Sequence, residues 1–382
     1  MGRLLNYNYV QIWSILREYT INLTFMKCLT LLLTIVFLSI GWGNGYTQIQ
    51  NPEIKSAELT NQDFWPQTLT GSHFNEFWNY TFLFDNGMKL YVTYSAANFG
   101  RLKSPVTGVR LSLIGLNGDE IYQLAREYPI EQLEIDTKEG IMNLNPRNNN
   151  AWIGSYLPES QRVYLNTSKD GVRYKVNLKI EDIIPGIKIG DGKYRVRNDE
   201  VGIVTHIPFG KVSGIVGINE NHVEVTGSVY MDHTFQNQTT TQMMNSGYRF
   251  IHHENHNNWD VIYFMLPNNN RDKNTIGYRL QMIDGMLKTL TIDSINSISS
   301  NKVFGTDLAQ ILELKLSDKS TIRLSRQQDI EKFSVFDDLP WVARRAARTF
   351  LGGEVIDFRG EAILLETGNI PKQGFYNFFV VD

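Results

Sequence analysis

The chain has 382 residues, enough for about two to three domains at 100–200 residues each. It is 42% hydrophobic and 20% charged, the balance of a globular protein. A net charge of −3 argues against a phosphate-binding surface, so no nucleic-acid partner is expected, since nucleic-acid binders need clustered Lys and Arg. The single cysteine, Cys28, lies in an apolar N-terminal run, so disulfide staples and thiolate metal sites are excluded from the rest of the chain.

That run extends from Cys28 to Trp42, follows Lys27 and is followed by Gly43 and Gly45. A positive charge, about 15 apolar residues and small residues behind them are the order of a signal peptide, and the run is short for a membrane span. Residues 1–45 are therefore expected to be a signal peptide or a retained N-terminal anchor, with Met26 as an alternative start. Either way the protein is expected to be exported, to the periplasm or the extracellular space. Membrane contact is expected only through an uncleaved N-terminal segment.

Beyond residue 50 the pattern becomes alternation. Trp78, Tyr80, Phe82 and Phe84 recur at every second position, Asp85-Asn86-Gly87 turns the chain, and Leu90 to Tyr94 returns. Further strands are expected at 108–114, 163–166, 172–180, 214–218 and 223–230. A second series is expected at 248–251, 259–266, 275–283, 288–292, 311–316, 321–325, 355–365 and 375–380. Asn148-Asn149-Asn150 and Asn268-Asn269-Asn270 read as loop tips. One helix is expected from Leu339 to Phe350, capped by Asp338 and closed by Gly352-Gly353. Its Arg344, Arg345 and Arg348 read as a solvated face. The fold class is thus all-β, and the polar stretch 236–245 divides it into units at 52–240 and 241–382.

No phosphate loop or nucleophile elbow occurs. The run of note is Gly227-Ser-Val-Tyr230-Met-Asp232-His233-Thr-Phe235. On a strand, Met231, His233 and Phe235 share one face, and Tyr230 and Asp232 the other. An imidazole among apolar side chains can exchange a proton near neutral pH; an ordinary hydrogen-bonded strand histidine fits the same pattern. His252-His253-Glu254-Asn255-His256 offers metal-ligand types, but its Asn-rich surroundings read as a solvated loop. No metal and no cofactor are expected.

The run resembles the Gly-x-x-Tyr-x-Asp-His-x-Trp-Gly signature of the lipocalin-like hydroxyneurosporene synthase (carotenoid hydratase) superfamily, which also includes AttH-like proteins and fungal Diels–Alderases. Ile207-Pro208-Phe209-Gly210-Lys211-Val212-Ser213-Gly214 is similar to the strand entry upstream of that signature, and Glu76-Phe77-Trp78-Asn79-Tyr80 to the first strand. Phe235 and Gln236 depart from the Trp and Gly of the signature. The resemblance implies two tandem lipocalin-like (calycin) barrels with one short helix in the second, holding a small hydrophobic ligand of terpenoid or polyketide type. It implies His233 as a catalytic residue, joined by Asp260 in the role of the family's later-strand acid. The ligand-binding candidates are Trp78, Tyr230, Met231, Asp232, Phe235 and Tyr263. Two functions stay open: a cofactor-free hydratase, isomerase or cyclase, and a non-catalytic carrier that sequesters the ligand.

Overall fold

The computed structural model describes residues 49–50, 56–145, 150–268, 275–334, 336–337 and 340–382. The signal or anchor segment, with Met26, Lys27 and Cys28, lies outside the described residues, as do Asn148, Asn149, Asn269, Asn270, Asp338 and Leu339.

Fifteen strands form the first sheet: β1 (Ile49–Gln50), β2 (Ser56–Glu58), β3 (His73–Phe84), β4 (Lys89–Phe99), β5 (Val106–Ile114), β6 (Ile121–Pro129), β7 (Glu134–Asp136), β8 (Ile141–Asn143), β9 (Ala151–Tyr156), β10 (Ser160–Lys169), β11 (Val172–Glu181), β12 (Ile187–Ile189), β13 (Lys193–Val196), β14 (Asp199–Ile218) and β15 (Asn221–Gln236). Its main path runs β6-β5-β4-β3-β15-β14-β11-β10-β9-β8-β7. The other eight strands form a closed barrel in chain order: β16 (Met244–Asn255), β17 (Asn258–Pro267), β18 (Ile276–Ile283), β19 (Met286–Val303), β20 (Thr306–Leu316), β21 (Thr321–Ser334), β22 (Val355–Glu366) and β23 (Lys372–Val381). The expectation of an all-β chain with two barrel-like units in tandem holds, the first being a half-barrel. The first unit is an open sheet that curls, rather than a closed barrel.

Alternation gives the sheet one apolar face, and contacts across that face hold the curl. Along β3, Phe74, Trp78, Tyr80, Phe82 and Phe84 point into one apolar core, because side chains on a strand alternate between faces. The Tyr80 hydroxyl crosses that core to donate to Gln161 Oε1 on β10 (3.0 Å), and Tyr174 on β11 reaches the Gln123 carbonyl on β6 (2.7 Å). At the first hairpin Gly87 takes φ +85°, a left-handed conformation that glycine adopts without strain.

The opposite face of this sheet lies against the outside of the barrel through a seam that combines an apolar cluster with buried ion pairs. Arg110 meets Asp357 (3.2 Å), and Arg359 meets Glu331 (2.9 Å) and Ser112 (2.9 Å). Buried charges demand partners: Arg110 finds its partner on the barrel, whereas Arg359 pairs with Glu331 within the barrel and reaches across to Ser112.

The helix spans Trp341–Leu351 and ends on Gly352 in the left-handed conformation. Arg344 and Arg348 are not a solvated face: both reach the buried Glu354. The histidine run is not a loop either, since His252 to Asn255 complete β16.

Candidate functional site

Strand β15 positions two different chemistries, one on each face. On its inner face His233 pairs across the ladder with Trp78, and their rings stack at 4.7 Å and 15°. His233 Nδ1 lies 3.0 Å from the Asp63 carbonyl oxygen. A carbonyl only accepts, so Nδ1 carries the proton. His233 Nε2 lies 2.7 Å from Glu76 Oε1, with both side chains completely buried. Glu76 also accepts from the Gln67 N–H (2.7 Å), the Thr68 N–H (3.2 Å) and the Thr68 hydroxyl (3.1 Å). The Glu76 carboxyl thus accepts from three strap donors, and His233 Nε2 is its fourth contact.

These groups are closed over by a strap, residues 60–68, which contains the short 3-10 turn Asn61–Phe64. The strap is held from below by the site itself. Trp78 Nε1 donates to the Phe64 carbonyl (2.8 Å), His233 to that of Asp63, and the strap's own N–H groups end on Glu76. On the outside, Asp63 meets Lys188 at 2.6 Å. Burial pushes the Asp63 carboxyl up, but Lys188 and hydrogen bonds from Thr60 outweigh it and hold the group below its ordinary range. His206 stacks 6.0 Å from His233. Burial, and then the neighbouring His233, push His206 down to about 3, so it is neutral. Its Nε2 has no partner among the described residues.

The outer face carries the seam. Asp232 takes a two-pronged contact from Arg249 (2.6 and 3.1 Å) and a hydrogen bond from Asn79 Nδ2 (2.9 Å). Arg249 also donates to the Tyr263 hydroxyl (2.9 Å), which meets Thr234 (2.9 Å). Tyr230 lies in the apolar cluster between sheet and barrel with Tyr194, Trp259 and Tyr278. Tyr278 meets Thr205 at 2.8 Å, whereas Tyr194 Oη and Trp259 Nε1 have no partner among the described residues.

The sequence candidates therefore fall in three places. Trp78, Met231, His233 and Phe235 share the inner face of the sheet. Tyr230, Asp232 and Tyr263 meet at the seam. Asp260 stands apart inside the barrel, gripped by Arg279 (2.9 and 2.7 Å) and Lys372 (2.9 Å), with Glu366 completing the cluster through Arg279. Sequence reasoning missed Glu76, His206, Arg249 and Arg279. For Glu76 a signal existed: it precedes Trp78 by two residues, hence on the same strand face. His253, from the histidine run, donates from Nε2 to the Pro208 carbonyl (2.9 Å) and meets Ser228 through Nδ1 (2.9 Å).

No family model and no curated protein sequence matches this chain. Solved structures do. A putative AttH from Nitrosomonas europaea superposes with a TM-score of 0.57 at 10% identity, over 86% of this chain and 99% of its own. CghA superposes at 0.52 and 8% identity over 88% and 97%, and CghA with Sch210972 at 0.51 and 8% over 81% and 89%. The chain thus has the lipocalin-like fold that the sequence run pointed to.

Proposed function

We propose that this protein takes a small hydrophobic molecule into the curled first sheet beneath the 60–68 strap, and that the Glu76–His233 pair exchanges a proton with it. One observation carries this reading. A completely buried carboxylate and imidazole lie 2.7 Å apart against the flat face of Trp78, at the end of an apolar core. Buried ion pairs are weak stabilisers compared with apolar packing. The fold supports a ligand as well, since CghA has been crystallised with Sch210972.

The chemistry is acid–base and needs no cofactor. For hydration, the imidazolium gives its Nε2 proton to an alkene carbon, water adds to the resulting cation, and the proton lost by that water returns to the imidazole. Isomerisation differs only in the last step, where a carbon–hydrogen bond breaks to return the proton. The strap excludes bulk water, which strengthens every charge interaction beneath it. We place this activity outside the cytoplasm, on the basis of Lys27 and the apolar run behind it.

A second reading is a carrier, and the closed geometry favours it. Both nitrogens of His233 and both oxygens of Glu76 are engaged by the protein itself. The experiment is to extract apolar material from purified wild type and Glu76→Gln, identify it by mass, and return it to each protein. Conversion by wild type and its loss in Glu76→Gln supports the enzyme. The same unconverted molecule on both supports the carrier. No bound or bindable apolar molecule in either would overturn both readings.

A further inference from the structure

The helix Trp341–Leu351 wears its apolar side outward. Residues 344, 347, 348 and 351 turn toward the protein, while 341, 342, 343, 345, 346, 349 and 350 are exposed. The inward contacts are charged. Arg344 grips the fully buried Glu354 (2.6 and 3.0 Å) and Asp337 (2.9 Å), and Arg348 reaches Asp382 (3.0 Å). The outward side holds Trp341, Val342 and Phe350, which are 70%, 69% and 68% exposed. A surface helix ordinarily turns its apolar stripe to the core, so the outward stripe has no folding role.

We propose that this face docks on an anionic lipid surface. The charge pattern selects that occupant. The helix has three arginines and no acidic residue. Arg344 and Arg348 are neutralised inward, while Arg345 stacks 5.8 Å over the outward Trp341 ring and has no acidic partner among the described residues. An indole, a phenyl ring and a free guanidinium side by side suit the headgroup boundary, where the rings enter the acyl edge and the cation meets phosphate. Another exposed apolar side chain stands on the barrel. The β19–β20 hairpin tip is Phe304, 53% exposed, and Lys332, two residues from the end of the strand that leads into the helix, reaches its carbonyl (3.4 Å). This contact is separate from the N-terminal segment and independent of the Glu76–His233 reading.

The test uses the full chain and reads the helix alone, because the apolar run 28–42 can itself enter a bilayer. Wild type and Trp341→Phe are mixed with vesicles of phosphatidylcholine, with or without phosphatidylglycerol, carrying brominated acyl chains. The difference between their tryptophan emissions isolates Trp341. Docking predicts quenching of Trp341 on the anionic vesicles, weakened about tenfold in apparent affinity by Arg345→Glu and abolished by Val342→Ser with Phe350→Ser. Unchanged Trp341 emission on anionic vesicles, with the protein sedimenting on them, would overturn the proposal. So would a concentration-dependent dimer, without lipid quenching, that dissociates in the Val342→Ser/Phe350→Ser variant. That result would make the face a contact between two copies.

Discussion

His233 Nε2 and Glu76 Oε1 lie 2.7 Å apart, and the same carboxylate holds the strap through Gln67 and Thr68. Pair and lid are therefore one energetic unit. Glu76→Ala leaves the imidazole unpaired and two strap N–H groups without an acceptor. Removing one partner of a buried pair costs about 3–5 kcal/mol, and denaturant unfolding should show a loss of that size. Hydrogen exchange should also show residues 60–68 losing protection before the β3–β15 ladder. If stability falls by less than about 1 kcal/mol and the strap stays protected, the coupling does not exist.

Two other histidines make stability depend on pH. Burial, followed by His233, brings His206 down to about 3; burial does the same for His253, opposed by its hydrogen bond to the Pro208 carbonyl and aided by a smaller push from His252. Around His206 stand His233, Asp63 and Lys188; His253 faces Ser228 and the Pro208 carbonyl. In both cases the folded value lies below the unfolded value near 6.5, so the unfolded chain binds the proton first. The stability that each neutral ring contributes is complete above pH 6.5 and is lost as pH falls toward 3. The slope is at most about 1.4 kcal/mol per pH unit for each histidine. Melting temperatures of wild type and His253→Gln between pH 7 and 4.5 should diverge in slope, with the variant flatter. Parallel slopes would mean that His253 is protonated in the folded state over that range.

Much of this was legible in the sequence. Alternation from Trp78 to Phe84 marked a strand with one apolar face, and the same rule put Met231, His233 and Phe235 together. What escaped were partners set by register. Glu76 and His233 are 157 residues apart, and their meeting depends on β3 lying beside β15. Arg249 and Arg279 escaped for the same reason, because no local pattern says which strand will neighbour Asp232 or Asp260. Closure of the barrel rests on β16 pairing with β23, for instance Arg249 with Asn377. Nothing in either segment alone announces that. The curl of the first sheet without closure was equally hidden, because alternation fixes faces and not the number of strands needed to meet.

Asp260 tests how a barrel tolerates charge. Its carboxylate is held by Arg279 and Lys372, and Arg279 also meets Glu366 at 3.1 Å. Asp260→Ala should destabilise the protein by about 3–5 kcal/mol, because Arg279 keeps its charge in a buried place with one partner fewer. Asp260→Leu combined with Arg279→Met should recover most of that loss, since apolar pairs of similar volume often replace buried ion pairs without cost. Both variants should bind apolar ligand as wild type does if the ligand sits beneath the strap. A double variant no more stable than Asp260→Ala would show that the pair is needed for more than its own neutralisation.

Phe235 decides how far the inner face can be remodelled. Its ring stands 5.3 Å from His233 and lies over Gly202 on β14, which is its partner in the ladder. A Cβ placed on Gly202 would come within 2.0 Å of the ring edge. The glycine therefore makes room for a ring and not for a larger one. The resemblance places Trp at this position, and on sequence grounds Phe235→Trp restores it and is tolerated, with an altered pocket shape. The packing says otherwise. The ring is 3% exposed, so an indole must displace the β14 backbone or the His233 ring. Overpacking of that kind costs about 1–3 kcal/mol. Gly202→Ala should cost a similar amount by pushing Phe235 from the other side, and Gly202→Ala with Phe235→Leu should relieve it. Thermal unfolding of the three variants checks this. A Phe235→Trp protein as stable as wild type would show that the inner face has room the closed structure conceals, and would place the ligand against Phe235 rather than against Trp78.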